Sequence, residues 1–124
     1  MKKFVGLLTG LLLTVATFAQ SGVSFNDASS DYDKTKTSTF NFTFDSKYSA
    51  DDINTNAAYY ESYFSTETTA DGSKGTKVKI AVVGENEMSR KIILRLFVAL
   101  DVKTINVNGV EMGRDEFIKK YVAL

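Results

Sequence analysis

An α+β fold, ordered strand, helix, strand, strand, helix, strand, is what this sequence predicts, and three observations predict it. Apolar and polar residues alternate with a period of two in the runs FNFTF, TKVKIAVV and VKTINVN. The stretches between them carry apolar residues at spacings of three and four, the mark of a helix with one buried face. The first and third strands in this order are also the most apolar, as the centre of a sheet requires.

The first strand places Phe40, Phe42 and Phe44 on one face and Asn41, Thr43 and Asp45 on the other. Ser49, three residues before Asp52, gives the start signal of a helix. Its hydroxyl can accept from a first-turn amide, and Asp51 and Asp52 sit where the helix dipole favours negative charge. Ile53, Ala57, Tyr60 and Phe64 form the apolar stripe of that helix. STETTA is a polar second strand, and Asp71-Gly72 with Gly75 marks the turn into the third, where Thr76, Val78, Ile80 and Val82 alternate with Lys77 and Lys79. The strongest helix is ENEMSRKIILRLFVALD. Its main face reads as Met88, Ile92, Leu96, Ala99 and Leu100, widened by Ile93 and Phe97, with Leu94 and Val98 on a further side. A helix apolar over so much of its circumference needs cover on more than one side. In the fourth strand Ile105 and Val107 alternate with Thr104, Asn106 and Asn108. Asn108-Gly109 is a tight-turn signal, after which Glu111-Met112 pairs back briefly. A short final helix over residues 114–122, with Phe117, Ile118, Tyr121 and Val122 inward, supplies the second cover for the long helix.

This order is the split βαβ, or ferredoxin-like, open-faced sandwich. It places strands one and three centrally and the polar strands two and four at the edges. Asn41, Thr43, Lys77, Lys79, Thr104 and Asn106 then face water on the side away from the helices.

The remaining residues divide in two. Lys2 and Lys3, an apolar run over residues 4–18, and small residues at Thr17 and Ala19 read as a signal peptide cleaved after Ala19. The apolar run is shorter than the roughly 20 residues that span a bilayer. Residues 20–38 are rich in Ser, Asp, Thr and Lys and read as a flexible lead, with a docked strand at Val23–Phe25 only weakly signalled. The folded domain is expected over residues 39–124. Localisation follows as exported, periplasmic or extracellular, and soluble. With no cysteine in the chain there is neither a disulfide nor a thiol for lipid attachment.

Element order and lengths over residues 39–108 resemble the heavy-metal-associated domains, small ferredoxin-like carriers of copper and other soft metals. That family holds its metal with C-x-x-C in the loop after the first strand. The matching stretch here, Asp45-Ser46-Lys47-Tyr48-Ser49-Ala50, has neither thiol, so no metal ligand carries over. The resemblance implies a relative without carrier chemistry.

Composition narrows function further. The chain has no His and no Cys, which removes soft-metal sites and imidazole- or thiolate-based catalysis. Asp51 and Asp52 are adjacent and diverge by about 100° on a helix, so they do not converge on one substrate. Setting Lys2 and Lys3 aside, thirteen basic against fifteen acidic side chains leave a net charge of −2 with no basic block, which argues against nucleic acid and anionic membranes. GSKGT lacks the phosphate-loop pattern and reads as a hairpin turn. AVVGENEMS carries Glu85 and Glu87 where an anion would sit, and reads as helix capping. DASSDYD offers Asp27, Asp31 and Asp33 to a calcium-type cation but lacks the glycine bend and ligand count of a tight cage. Asn41-Phe42-Thr43 is a glycosylation sequon lying inside a strand.

The expectation is a non-catalytic module without a cofactor, binding another envelope or secreted protein or a second copy of itself. Contact would run through an edge strand, the surplus apolar surface of the long helix, or the tyrosine side of the first. The candidate residues are Asp52, Asn56, Tyr59, Tyr63, Leu94 and Val98. The competing expectation is a small-ligand or calcium-type cation binder using carboxylates and hydroxyls.

Overall fold

A computed structural model describes residues 22–70, 75–84 and 87–124. The expected signal peptide and cleavage point, the Asp71-Gly72 turn and the first residues of ENEMSRK lie outside them. The elements are β1 (Val23–Phe25), β2 (Thr39–Phe44), α1 (Ala50–Ala57), β3 (Phe64–Ala70), β4 (Thr76–Val82), α2 (Glu87–Ala99), β5 (Thr104–Val107), β6 (Val110–Gly113) and α3 (Arg114–Phe117), which continues as a π-turn over Ile118–Val122. The fold is mixed α+β around a six-stranded sheet in the order β3-β4-β2-β1-β5-β6.

Phe40, Phe42 and Phe44 are fully buried, as their alternation requires. Each contributes about 2 kcal/mol of burial. Phe97 of α2 packs edge-on against Phe42 at 5.4 Å, and Phe117 of α3 meets the same ring at 5.8 Å, so these helices cover that face of the sheet. β2 pairs along its whole length with β4, Phe42 opposite Val78 and Phe40 opposite Ile80. Ser49 caps α1 as expected, its Oγ accepting from the Asp52 amide at 3.0 Å. Gly75, at φ +112, enters β4 where an added Cβ would lie 2.0 Å from the Phe44 carbonyl oxygen, so no other residue fits.

Three expectations are corrected. Residues 22–38 are not a lead outside the fold. Val23–Phe25 lies within the sheet, antiparallel to β2 and parallel to β5. Val23 and Phe25 are core residues. Three residues form too short a run to show a period, which is why composition misreads them. As a consequence the fourth strand in the expected order, β5, is not an edge. It has β1 on one side and β6 on the other. On the face opposite the phenylalanines, Lys77 and Lys79 are exposed, but Thr43 and Asn106 are buried. Asn26, just past β1, donates to the Thr43 hydroxyl at 3.0 Å, while Asn106 accepts from the Gly109 amide at 3.0 Å.

The third correction concerns α2. Its buried face is Ser89, Arg90, Ile93, Leu96 and Phe97, whereas Met88 is 58% exposed and Ala99 is exposed. Arg90 is 1% exposed. Its Nη1 donates to the carbonyls of Lys34 at 2.8 Å and Val122 at 3.0 Å, and its Nη2 to the Thr37 carbonyl. The guanidinium also lies over the Phe40 ring, 5.6 Å from its centroid. The end of the final helical turn leaves carbonyls without helical partners, and side chains take them up. Val122 receives Arg90, Lys119 receives the Lys34 ammonium at 2.8 Å, and Tyr121 receives the Tyr32 hydroxyl. Residues 32–37 are thereby tied to the C-terminal turn by polar contacts, and Phe25 adds ring contacts to Phe117 at 5.0 Å and Tyr121 at 5.6 Å.

Burial pushes the Tyr32 phenol from 10.0 up to about 12, with the Asp27 carboxylate adding to the shift. The fold therefore holds this phenol protonated more firmly than the unfolded chain does. The stabilisation is complete below pH 10.0 and is lost as pH rises through about 12. Chemical denaturation across that window is expected to show a falling midpoint. The fall should be shallower in Tyr32→Phe; equal slopes in the two proteins would rule out this linkage.

Candidate interaction surface

The loop after β2 and the end of α2 meet in a groove of about 360 Å³ lined by Lys47, Tyr48, Asp52, Asn56, Ala99, Leu100 and Asp101. α1 presents Asp52 and Asn56 on one side, four residues apart, with the Asn56 side-chain Nδ2 donating to the Asp52 main-chain carbonyl at 2.8 Å. The other side is the end of α2. Asp101 takes a left-handed φ of 60°, its amide bonds Val98 O at 3.0 Å, and the Val102 amide bonds Phe97 O at 2.8 Å. This closes the helix in a Schellman pattern with Val102 and Phe97 both buried. Burial raises the pKa of the Tyr48 phenol, helped by Asp45 and Asp101. The Lys47 ammonium stands 5.3 Å from the centre of that ring. The groove is thus a mixed-charge cleft, with Asp52 and Asp101 facing it beside an exposed Lys47.

The candidate residues read from sequence do not gather in one place. Asp52 and Asn56 line the groove. Tyr59 is 79% exposed in the 3₁₀ turn after α1. Tyr63 is 37% exposed at the entry to β3, where its carbonyl accepts from the Val83 amide at 2.9 Å. Val98 is half exposed on α2, and Leu94 packs against the core.

Of the three aspartates weighed for a cation, two carry internal bonds. Asp27 accepts from the Asn41 amide at 2.8 Å and from its side chain, and Asp33 caps the turn at Thr35. Among the described residues no group of three or more acidic side chains is placed to hold a metal ion, and no buried side-chain nitrogen or oxygen lacks a partner. The sequon asparagine, Asn41, lies in the ladder between β2 and β4 with its side chain bonded to Asp27. Among the described residues no helix is long and apolar enough to cross a membrane.

β3 has a different character. It ends the sheet, and its seven residues pair with β4 without a bulge, from Phe64 opposite Val82 to Ala70 opposite Thr76. Two hydrogen bonds fix which way its backbone points. The Val83 amide bonds to Tyr63 O across β3–β4, whereas the Val82 amide bonds to Ser38 O toward β2. Antiparallel pairing alternates these directions. Ser65, Glu67 and Thr69 therefore turn their amides and carbonyls to β4, and Thr66, Thr68 and Ala70 turn theirs outward. Edge strands are normally blunted by proline, lysine, a bulge or shortness. The chain has no proline, and β3 has no lysine and one charged side chain, Glu67. β6, at the opposite edge, has four residues and passes directly into α3.

No family model, curated protein or solved structure matches this chain. The surfaces therefore stand on their chemistry alone. The sequence offers an edge strand, the long helix or the tyrosine side of the first helix as the contact, and names residues only for the two helices. Thr66 and Thr68 are missed because their value lies in main-chain groups, whose direction depends on the register with β4.

Proposed function

We propose that this chain is a small exported, non-catalytic binding module that recruits a protein partner by strand addition along the outer edge of β3. The single observation carrying this reading is the unblunted seven-residue edge. Its outward amides and carbonyls at Thr66, Thr68 and Ala70 offer main-chain hydrogen bonds to an extended segment. The α1 side chain of Asn54 holds the Thr68 hydroxyl at 3.1 Å, so the edge is supported from the helix side. We read the architecture as a ferredoxin-like plan in which β1 is wedged between the first and fourth strands of that plan, with β6 added beyond. A kinship with heavy-metal-associated domains would then be one of architecture without metal transport. Export rests on the N-terminal pattern of two lysines, an apolar run and small residues before Gln20.

Thr68→Pro tests the reading. Proline is tolerated on an edge strand where its missing amide faced outward. The substitution removes one outward donor and leaves the β4 ladder intact. A partner captured from the native envelope fraction by the wild-type chain should be lost by Thr68→Pro and kept by Val98→Ser. Capture that ignores Thr68→Pro but fails with Val98→Ser moves the contact to α2 and overturns the proposal.

A further inference from the structure

We infer that the occupant of the β3 edge is a second copy of this chain, joined antiparallel about a two-fold axis at Thr68. The inference rests on the strand-addition reading above and names its partner. A two-fold antiparallel pair must keep side chains of like facing opposite one another, which leaves only registers centred on a residue. Centring on Glu67 opposes two carboxylates, which is unfavourable. Centring on Thr68 instead sets Glu67 opposite the partner copy's Thr69 and Thr66 opposite Ala70. Thr69 is paired in its own sheet with Lys77, and Glu67 with Lys79. The row across the joined sheets then runs Lys77, Thr69, Glu67, Lys79, so each carboxylate lies between ammonium groups of the two copies. Thr68 and Thr66 are among the residues whose main-chain groups turn outward, so this register closes hydrogen-bonded pairs at positions 66, 68 and 70. The groove beside the strand is lined chiefly by polar and charged side chains, Glu67, Thr69, Lys77 and Lys79 among them, and of the seven strand residues only Phe64 is buried. A partner must therefore be recognised by main-chain pairing and by threonine and charge order, which the strand supplies to itself. A seven-residue edge covers less than a standard stable interface, so the dimer forms and dissociates with concentration.

The chain has no cysteine, so single substitutions report the register directly. A hydrogen-bonded antiparallel pair sets its Cα atoms about 5.5 Å apart, inside the Cα range of a disulfide, and a small local shift brings the wider-set Cβ atoms into bonding distance. Under mild oxidation Thr68→Cys is expected to form a covalent dimer and Glu67→Cys to stay monomeric, because its counterpart is displaced along the strand. Sedimentation of the full wild-type mature chain should show a monomer–dimer equilibrium. Thr68→Pro should weaken it at least tenfold while the chain still melts in one cooperative transition, lowered slightly by loss of the Asn54–Thr68 hydroxyl bond. Should Thr68→Pro fail to fold, Thr68→Lys keeps the amide, sets two ammonium groups across the axis and is expected to weaken the dimer equally. A wild-type chain that stays monomeric overturns self-pairing alone, and capture sensitive to Thr68→Pro would still report a different partner at this edge. A dimer that survives both substitutions, or cross-links through Glu67→Cys in preference to Thr68→Cys, overturns the assignment. Survival of both would also count against strand addition itself.

Discussion

A chain trimmed to begin at Thr39 is expected to lose its cooperative fold. The trim follows the boundary that composition suggests, yet it removes a strand from the interior of the sheet. Without Val23–Phe25, β2 and β5 lose their common neighbour, since β1 pairs with both. Val23 and Phe25 leave the core, and each such side chain contributes about 1.5–3 kcal/mol. Phe25 also contacts the rings of Phe42, Phe117 and Tyr121, so three aromatics that the trimmed chain keeps lose a face. The C-terminal turn loses the Tyr32 and Lys34 donors, and Arg90 loses the Lys34 and Thr37 carbonyls. Domains of this size are stable by about 5–15 kcal/mol in all, so the sum of these losses exceeds what the remainder can hold. Circular dichroism melting compares the trimmed chain with one beginning at Gly22. The longer chain should show a single sharp transition and the shorter one none. A sharp transition within a few degrees in both would reduce β1 to an accessory.

Arg90→Met is expected to cost about 3–5 kcal/mol, among the largest effects of any single substitution in this protein. Methionine keeps much of the stem volume but donates nothing. The Lys34, Thr37 and Val122 carbonyls then lose their guanidinium donor, and an unsatisfied buried acceptor costs about 1–3 kcal/mol. Arg90→Lys should recover only a small part. An ammonium is a compact point charge, whereas the planar fork spans carbonyls from two chain segments. Urea denaturation is the measurement, with a lowered midpoint at an unchanged slope as the expected result. Hydrogen exchange should show the loss centred on residues 34–37 and 118–123. A cost below about 1 kcal/mol would mean that these carbonyls find other donors when Arg90 is gone.

Arg90 also shows where sequence reading succeeds and where it stops. It lies three residues before Ile93 and seven before Phe97, on the same stripe of α2, so its position was visible in the spacing. Its charge argued for solvent, and the carbonyls that accept its protons come from segments far along the chain. The same limit explains Met88, assigned inward by spacing and found exposed. Several apolar stripes were available on that helix, and only the cover supplied by α3 and its π-turn selects among them. Ser49 before Asp52, Asn108-Gly109 and the alternation of Phe40, Phe42 and Phe44 could be read correctly because each signal is complete within a few neighbouring residues.

By itself the sequence determined the succession of the longer strands and helices, the inward face of β2, the adjacency of its two most apolar strands and the exclusion of imidazole and thiolate chemistry. Period, capping and composition are local properties, written in the order of residues. Tertiary structure alone decided that Val23–Phe25 enters the sheet, that β5 is interior, that Arg90 is buried and that the main-chain groups of Thr66 and Thr68 point outward. Each of these depends on pairing between segments distant in the chain, where the stabilising partner supplies a signal that the segment does not carry.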